Sequence, residues 1–269
     1  MSFNWNRCGD LVYLTSDLIA GTGLVKHGFS TRHGRLSNVA TDNFNLGFKN
    51  GHPASVRQMR QFFLETLGTS LDKLVAGQQV HGTKVEVVTE ATTGRGALVW
   101  EDGLAATDAL VTATADVALS VYTADCVPIL FLDPVQKAVG AAHAGWRGSV
   151  NKIAVSTLKT MQQHFDSRPE DILVAIGPSI GPCCYEVDDV VLQPLKEQIP
   201  WWQEIIIFSR PGHFKLNLWE LNRRLLLDTG VKAGHISVAE ICTHCQVQHF
   251  FSYRGEHGRA GSLMAVISL

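Results

Sequence analysis

Residues 108–149 read DALVTATADVALSVYTADCVPILFLDPVQKAVGAAHAGWRGS. Four apolar runs stand out, at 108–114, 118–123, 128–132 and 138–142, each rich in Val, Leu, Ile or Ala and bounded by short polar breaks. Runs of that length and composition predict strands rather than helices. Asp133-Pro134 supplies the turn between the last two, because proline fixes φ and aspartate bonds its own backbone. Beyond the last run the pattern changes to a helical one over 149–165, with Ser149 suited to the N-cap.

Outward from this stretch, further strands are predicted at 11–18, 25–31, 85–89, 171–176, 235–241 and 262–267. Residues 53–67 predict a helix. Pro53 suits a first turn, and Val56, Met59, Phe62 and Phe63 share one side. Helices are also predicted at 188–198 and 218–228, the second stopped by Gly230. Strands and helices do not alternate as a regular βαβ repeat, so the expected class is α+β.

The 269 residues suit one large domain or two small ones, and neither a linker nor an internal repeat divides them. A chain that is 45% hydrophobic and 18% charged can bury a sizeable core. A formal charge of −2 gives no broad attraction to nucleic acid or to acidic membranes. No apolar run reaches membrane-spanning length. The N-terminal residues lack the charged start and apolar centre of a signal peptide. Six cysteines, two of them adjacent, do not read as a disulfide framework in a chain this long. The expectation is a reducing cytoplasm.

Three residues have the chemistry of metal ligands. They are His81 in Gln79-Val80-His81-Gly82, Cys126 in Thr123-Ala124-Asp125-Cys126-Val127-Pro128, and His143 in Ala142-His143-Ala144-Gly145-Trp146-Arg147-Gly148. Two imidazoles and a thiolate suit zinc, and copper also binds such donors. Three protein ligands rather than four leave one position for water or substrate, where zinc brings the pKa of water to about 7. Gaps of 45 and 17 residues exclude a local zinc loop. The plainer alternative is that Cys126 is a small hydrophobe and His81 a turn residue. Each ligating imidazole needs its second nitrogen anchored, and Asp108 and Asp125 are available acids.

These motifs, taken in order with others, resemble the YfiH-type laccase-domain family. The resemblance runs from Phe29-Ser30-Thr31-Arg32 through Asn45-Leu46-Gly47, the three ligand motifs and Asp108-Ala109-Leu110-Val111-Thr112. It continues into Ile176-Gly177-Pro178-Ser179-Ile180-Gly181-Pro182, Cys184-Tyr185-Glu186-Val187 and Phe250-Phe251-Ser252-Tyr253-Arg254. It implies a single domain over 1–269, an α/β/β/α sandwich around mixed sheets. It implies zinc held by His81, Cys126 and His143. Members are described as purine nucleoside phosphorylases with adenosine deaminase activity. The implied substrates are phosphate and the nucleosides adenosine, inosine, guanosine and methylthioadenosine.

Phosphorolysis needs an anion site, and the planar fork of arginine suits phosphate. The candidates are Arg32, Arg147, Arg254 and Arg259. The resemblance favours Arg32 as a catalytic and substrate-binding residue, with Arg147 as a further substrate ligand. Arg35 stands where the family usually has a second glycine after the Ser-Thr-Arg segment. Asn217 stands where it often has Asp.

Rival motifs are weaker. Gly177-Pro178-Ser179-Ile180-Gly181 matches a nucleophile elbow, but Gly181-Pro182 opposes the helix that must follow the serine. Cys242-Thr243-His244-Cys245 is a C-x-x-C without a second such pair, so it reads as ordinary thiols. The H-x-E and P-C-x-x-C of zinc deaminases are missing. The chain has no H-x-H, so it does not assemble a multicopper relay. Three readings remain open: a zinc-dependent purine nucleoside enzyme, a thiol hydrolase with Cys126 as nucleophile and His143 as base, and a non-catalytic metal- or purine-binding protein.

Overall fold

The computed structural model describes residues 2–36 and 43–269. Its strands are β1 (Phe3–Cys8), β2 (Leu11–Ser16), β3 (Lys26–Ser30), β4 (Leu74–Ala76), β5 (Val85–Val87), β6 (Ala109–Thr112), β7 (Ala118–Thr123) and β8 (Val127–Asp133). They continue with β9 (Ala138–Ala144), β10 (Leu173–Ile176), β11 (Glu186–Val187), β12 (Ile206–Arg210), β13 (His213–Leu216), β14 (Ile236–Val238) and β15 (Leu263–Ser268). The helices are α1 (Asp17–Ala20), α2 (Pro53–Thr66), α3 (Trp146–Val150), α4 (Ile153–Phe165), α5 (Asp189–Gln198) and α6 (Leu218–Leu227).

The strands form two six-stranded mixed sheets, ordered β1-β2-β3-β15-β7-β4 and β14-β10-β8-β9-β6-β5, and a small sheet β11-β13-β12. Successive side chains on a strand face opposite ways, and this divides the quoted stretch between cores. Leu119 and Val121 of β7 share a buried cluster with Leu130 and Leu132 of β8 and Val139 and Ala141 of β9, so the two large sheets face one another. The other face of β7 and β15, with Ala118, Met264 and Val266, meets Met59, Phe63 and Leu64 of α2. The other face of β8 and β9, with Ile129, Phe131 and Ala142, meets Ile153, Leu158 and Met161 of α4 and Leu221 of α6. The layering is therefore α/β/β/α, as the resemblance implies. Both faces of these strands are buried, which is why they read as continuous apolar runs rather than alternating ones. Truncating a fully buried side chain such as Phe131 costs about 3–5 kcal/mol.

One expected helix is two. Residues 149–165 do not start at a Ser149 cap; α3 ends at Val150 and α4 begins at Ile153, with Lys152 in the left-handed region at φ 65°. Ser149 is fully buried inside α3. Its hydroxyl donates to the Ala144 carbonyl at 3.2 Å and accepts from Asn222 Nδ2 at 2.9 Å. A buried hydroxyl needs such partners, and they hold α3 across the end of β9 while α4 turns back along the sheet. Asn217 caps α6 by accepting from the Glu220 N–H. Among the described residues no helix is long and apolar enough to cross a membrane.

Candidate metal centre

Strand register decides which residues meet. Ala109 of β6 pairs with Ala142 of β9, so the next positions outward are Asp108 and His143, and the His143 N–H donates to the Asp108 carbonyl at 2.8 Å. On the other side of β9, Pro128 pairs with His143, which leaves Cys126 just off the start of β8. His81 comes from the loop that leaves β4 in one large sheet and reaches β5 in the other. The donor atoms of His81, Cys126 and His143 all lie within 4.8 Å of one another, with Cys126 Sγ 3.8 Å from His81 Nε2. Zinc bond lengths of about 2.0–2.3 Å in a tetrahedron separate donors by about 3.3–3.6 Å, so the three fit one ion with small adjustments.

Asp108 organises this group. Its Oδ1 accepts from the His81 N–H at 2.9 Å, and its Oδ2 from the N–H groups of Val80 and Gly82 at 3.0 and 2.9 Å. The same Oδ1 lies 2.8 Å from His143 Nδ1. That bond fixes the imidazole tautomer and leaves Nε2 for a metal. Burial pushes the Asp108 carboxyl up, but the hydrogen bonds from His143, Val80 and Gly82 outweigh it and the pKa falls. The His81 loop is also tied to β7. Gln79 Nε2 donates to the Tyr122 carbonyl at 2.8 Å, and its Oε1 accepts from the Tyr122 N–H at 2.7 Å. His81 itself takes φ 61°, a left-handed conformation uncommon outside glycine.

Gly145 lies against the donors. A Cβ there would come within 2.8 Å of His81, 3.1 Å of Cys126 Sγ and 3.7 Å of His143. Without a metal the group is a charge pair. Burial pushes the Cys126 thiol up, but His143 and hydrogen bonds from both histidines bring it down to about 6. Burial lowers His143, yet Cys126 and Asp108 raise it to about 9.

The three donors face a cavity of about 550 Å³. Its wall includes Tyr122, Trp146, Tyr185 and Tyr253, and the cations Lys49, Arg60, Arg147 and Arg254. Arg147 stacks on Trp146 at 4.4 Å, and Arg254 donates to the Glu186 carbonyl at 3.0 Å. Among the described residues neither Arg147 nor Arg254 forms an ion pair with a carboxylate. Arg60 is almost fully buried. It donates to the carbonyls of Leu46, Gly96 and Ala97 and lies between the rings of Phe48 and Tyr122.

Arg32 is not among the residues lining this cavity. Its guanidinium donates to the Val247 carbonyl at 2.8 Å and Asn43 Oδ1 at 2.9 Å, and pairs with Glu256 at 3.1 Å over the Phe251 ring. Glu256 also accepts from the Ser252 N–H. Arg32 thus supports the turn that carries Tyr253 and Arg254. Ser179 is fully buried, with its hydroxyl accepting from the Trp219 indole at 2.6 Å and no helix following it. The chain has no second C-x-x-C, but Cys242 and Cys245 are not isolated thiols: the fold brings Cys183 and Cys184 to them. The partners are adjacent in sequence rather than spaced C-x-x-C, so no local motif announces them.

Reading the sequence missed Arg60, the Gln79 tie and the clamping part of Asp108. Two signals existed. Arg60 interrupts the apolar face of α2 beside Met59 and Phe63, and Asp108 is an acid opening an otherwise apolar strand.

Fold and donor set together define a class: an α+β sandwich with an open His/Cys/His group on a cavity wall. The chain belongs to the multi-copper polyphenol oxidoreductase laccase family, whose model matches residues 26–269. It is 38% identical to the purine nucleoside phosphorylase YlmD of Geobacillus stearothermophilus, over 98% of this chain and 93% of that protein. The crystal structure of that organism's YlmD matches with a TM-score of 0.91 at 36% identity, covering 99% of this chain and 98% of the other. Bacillus licheniformis hypothetical protein YfiH matches with a TM-score of 0.90 at 34% identity, covering 98% of each chain. A protein named adenosine deaminase RL5, from an unknown prokaryotic organism, is 35% identical over 70% of this chain and 72% of its own length.

Proposed function

We propose that the chain is a zinc-dependent purine nucleoside phosphorylase that also deaminates adenosine. The observation that carries the reading is the open His81/Cys126/His143 group on a cavity wall that also holds Arg147 and Arg254, two cations without carboxylate partners among the described residues. The donor set suits zinc, and copper is the competing ion. When bound, the metal supplies Lewis acidity. Asp108 keeps His143 in one tautomer and holds the His81 loop. Arg147 and Arg254 offer planar forks for phosphate. The aromatic walls suit a flat purine face. Phosphorolysis breaks the bond from ribose C1′ to the base nitrogen and forms one from C1′ to a phosphate oxygen, releasing the base. Arg32 acts through others, by holding the turn of Tyr253 and Arg254. The names of the relatives support the reaction class. Adenosine, inosine, guanosine and methylthioadenosine are the proposed substrates. Six free thiols support a reducing cytoplasm. Among the described residues only the first group carries histidines, and its two are fewer than a multicopper relay requires, so polyphenol oxidation is not proposed.

The test is a nucleoside panel with and without phosphate. Base release from inosine should require phosphate, whereas conversion of adenosine to inosine should not. Equal base release in both buffers would make the protein a hydrolase and overturn the phosphorylase reading.

A second reading, thiol hydrolysis, is favoured by one observation: the depressed Cys126 thiol beside a raised His143. It requires an uncoordinated sulfur. Protein that holds no metal, and loses activity on alkylation of Cys126 alone, would support it.

A further inference from the structure

The sulfurs of Cys183, Cys184, Cys242 and Cys245 lie within 4.8 Å of one another. Cys245 Sγ is 3.5 Å from Cys183 Sγ and 3.3 Å from Cys184 Sγ. A zinc–thiolate bond of about 2.3 Å gives a tetrahedron of four sulfurs an edge of about 3.8 Å. The observed spacing brackets that edge, as one ion at the centre requires.

The donors come from two turns that the backbone fixes independently of any ion. In the first, the N–H groups of Cys184 and Tyr185 donate to the Gly181 carbonyl at 3.0 and 2.9 Å. In the second, the Gln246 N–H donates to the Cys242 carbonyl at 3.0 Å. Each turn also directs an N–H at the buried Cys242 sulfur, Gly181 at 3.2 Å and Cys245 at 3.5 Å. Such N–H groups favour sulfur in its thiolate form, the form that binds metal. A bridge between Ser179 and Cys242 ties the turns together. Lys215 Nζ donates to the Cys183 carbonyl at 2.7 Å, a positive charge beside a centre that four thiolates and a divalent ion would leave negative.

We propose that these four cysteines form a second metal site, closed and structural, that holds one zinc ion. Coordination releases the thiol protons, and no electron transfer is involved. Four protein ligands fill the tetrahedron, so the site has no position for substrate. Its effect is on the cavity wall. Tyr185 follows Cys184 directly and lines the cavity, and Arg254 bonds the carbonyl of Glu186. The ion therefore fixes the segment from which Tyr185 and Arg254 take their positions. The inference does not depend on which reaction the first group performs.

The test uses the full chain, purified without chelator, and reads zinc content and thiol reactivity. The triple variant His81→Ala/Cys126→Ser/His143→Ala removes the first group and keeps the four cysteines. It should retain one equivalent of zinc. Cobalt(II) put in its place should give the intense sulfur-to-cobalt absorption of a tetrahedral four-thiolate centre. The four thiols should resist alkylation until a strong chelator is added. In the otherwise unchanged chain, Cys242→Ser/Cys245→Ser should lower the zinc content by one equivalent and leave the other in place, which covers the case of a triple variant that does not fold. A folded triple variant that takes up no zinc and alkylates freely would overturn the proposal. So would a disulfide among the four cysteines in freshly isolated, zinc-free protein, or an unchanged zinc content in Cys242→Ser/Cys245→Ser.

Discussion

The His81/Cys126/His143 group is gathered by neighbouring strands and one loop, the four-cysteine group by two turns, and the two are built to opposite ends. The first has three donors of two kinds, a cavity on its free side, and a glycine at 145 where any side chain would touch the donors. The second has four donors of one kind and no free corner. Their supports differ as well. One carboxylate outside the donor set, Asp108, holds the first. The second is held by N–H groups of its own turns. On the roles proposed above, donor count and the origin of the supporting hydrogen bonds, more than the identity of the ion, would separate a site for chemistry from a site for shape.

The largest expected effect breaks the comparison on the first side. Cys126→Ser or His143→Ala should lower nucleoside turnover by more than about 100-fold, beyond the range for loss of a supporting residue. Steady-state assays on inosine and adenosine would show it, and alkylation of the four cysteines should not change.

Next comes Asp108→Asn. The amide has one acceptor oxygen where three N–H groups and an imidazole need two, so its nitrogen faces donors. Metal affinity of the first group should fall by about 10- to 100-fold, measured by competition with a chromogenic chelator. Affinity equal to that of the unaltered chain would mean that Asp108 does not support the group.

A third test isolates one contribution to acid unfolding. His27 is buried and accepts the Ser16 N–H at 2.9 Å, and burial lowers its pKa to about 4. Above pH 6.5 it is neutral in both the folded and unfolded chain, and its full contribution is present. Between about pH 6.5 and 4 only the unfolded chain takes up the proton, so stability falls by about 3 kcal/mol. Below that window there is no further loss from this group. In urea unfolding across these pH values, His27→Gln should show a shallower fall than the unaltered chain. Parallel curves would remove His27 from the acid limb.

The smallest effect sets a baseline at a residue that neither donates to the first group nor hydrogen-bonds it. Asn217→Ala removes the cap of α6 and should cost about 1 kcal/mol in thermal or urea unfolding, with turnover unchanged.

Much of the layering was legible because buried strands carry unbroken apolar runs. Residues 118–123 match β7, and 53–67 match α2 to within one residue. The helix break at Lys152 was not legible, because a left-handed lysine leaves no trace in apolar spacing. The small sheet was missed because Ile207 and Phe208 of β12 are exposed, so it lacks the continuous burial that marked the others. The three donors were found through their motifs, and the structure brings them together. Arg32 was favoured for its place in Ser30-Thr31-Arg32, while Glu256, its ion-pair partner, is 224 positions away. The four cysteines were visible singly, but the pairing of 183–184 with 242–245 is a property of the fold.

The position of β15 has a consequence in time. It lies between β3 and β7, pairing with both, although it is the last strand in the sequence. During synthesis β1, β2 and β3 can form their meander early, and β7 can pair with β4. The sheet that holds them together must wait for residues 263–268. Until then the facing edges of β3 and β7 are open to other chains, the exposure that makes partly made proteins prone to aggregate. Segments emerging from the ribosome with these edges uncovered are where chaperone dependence would concentrate.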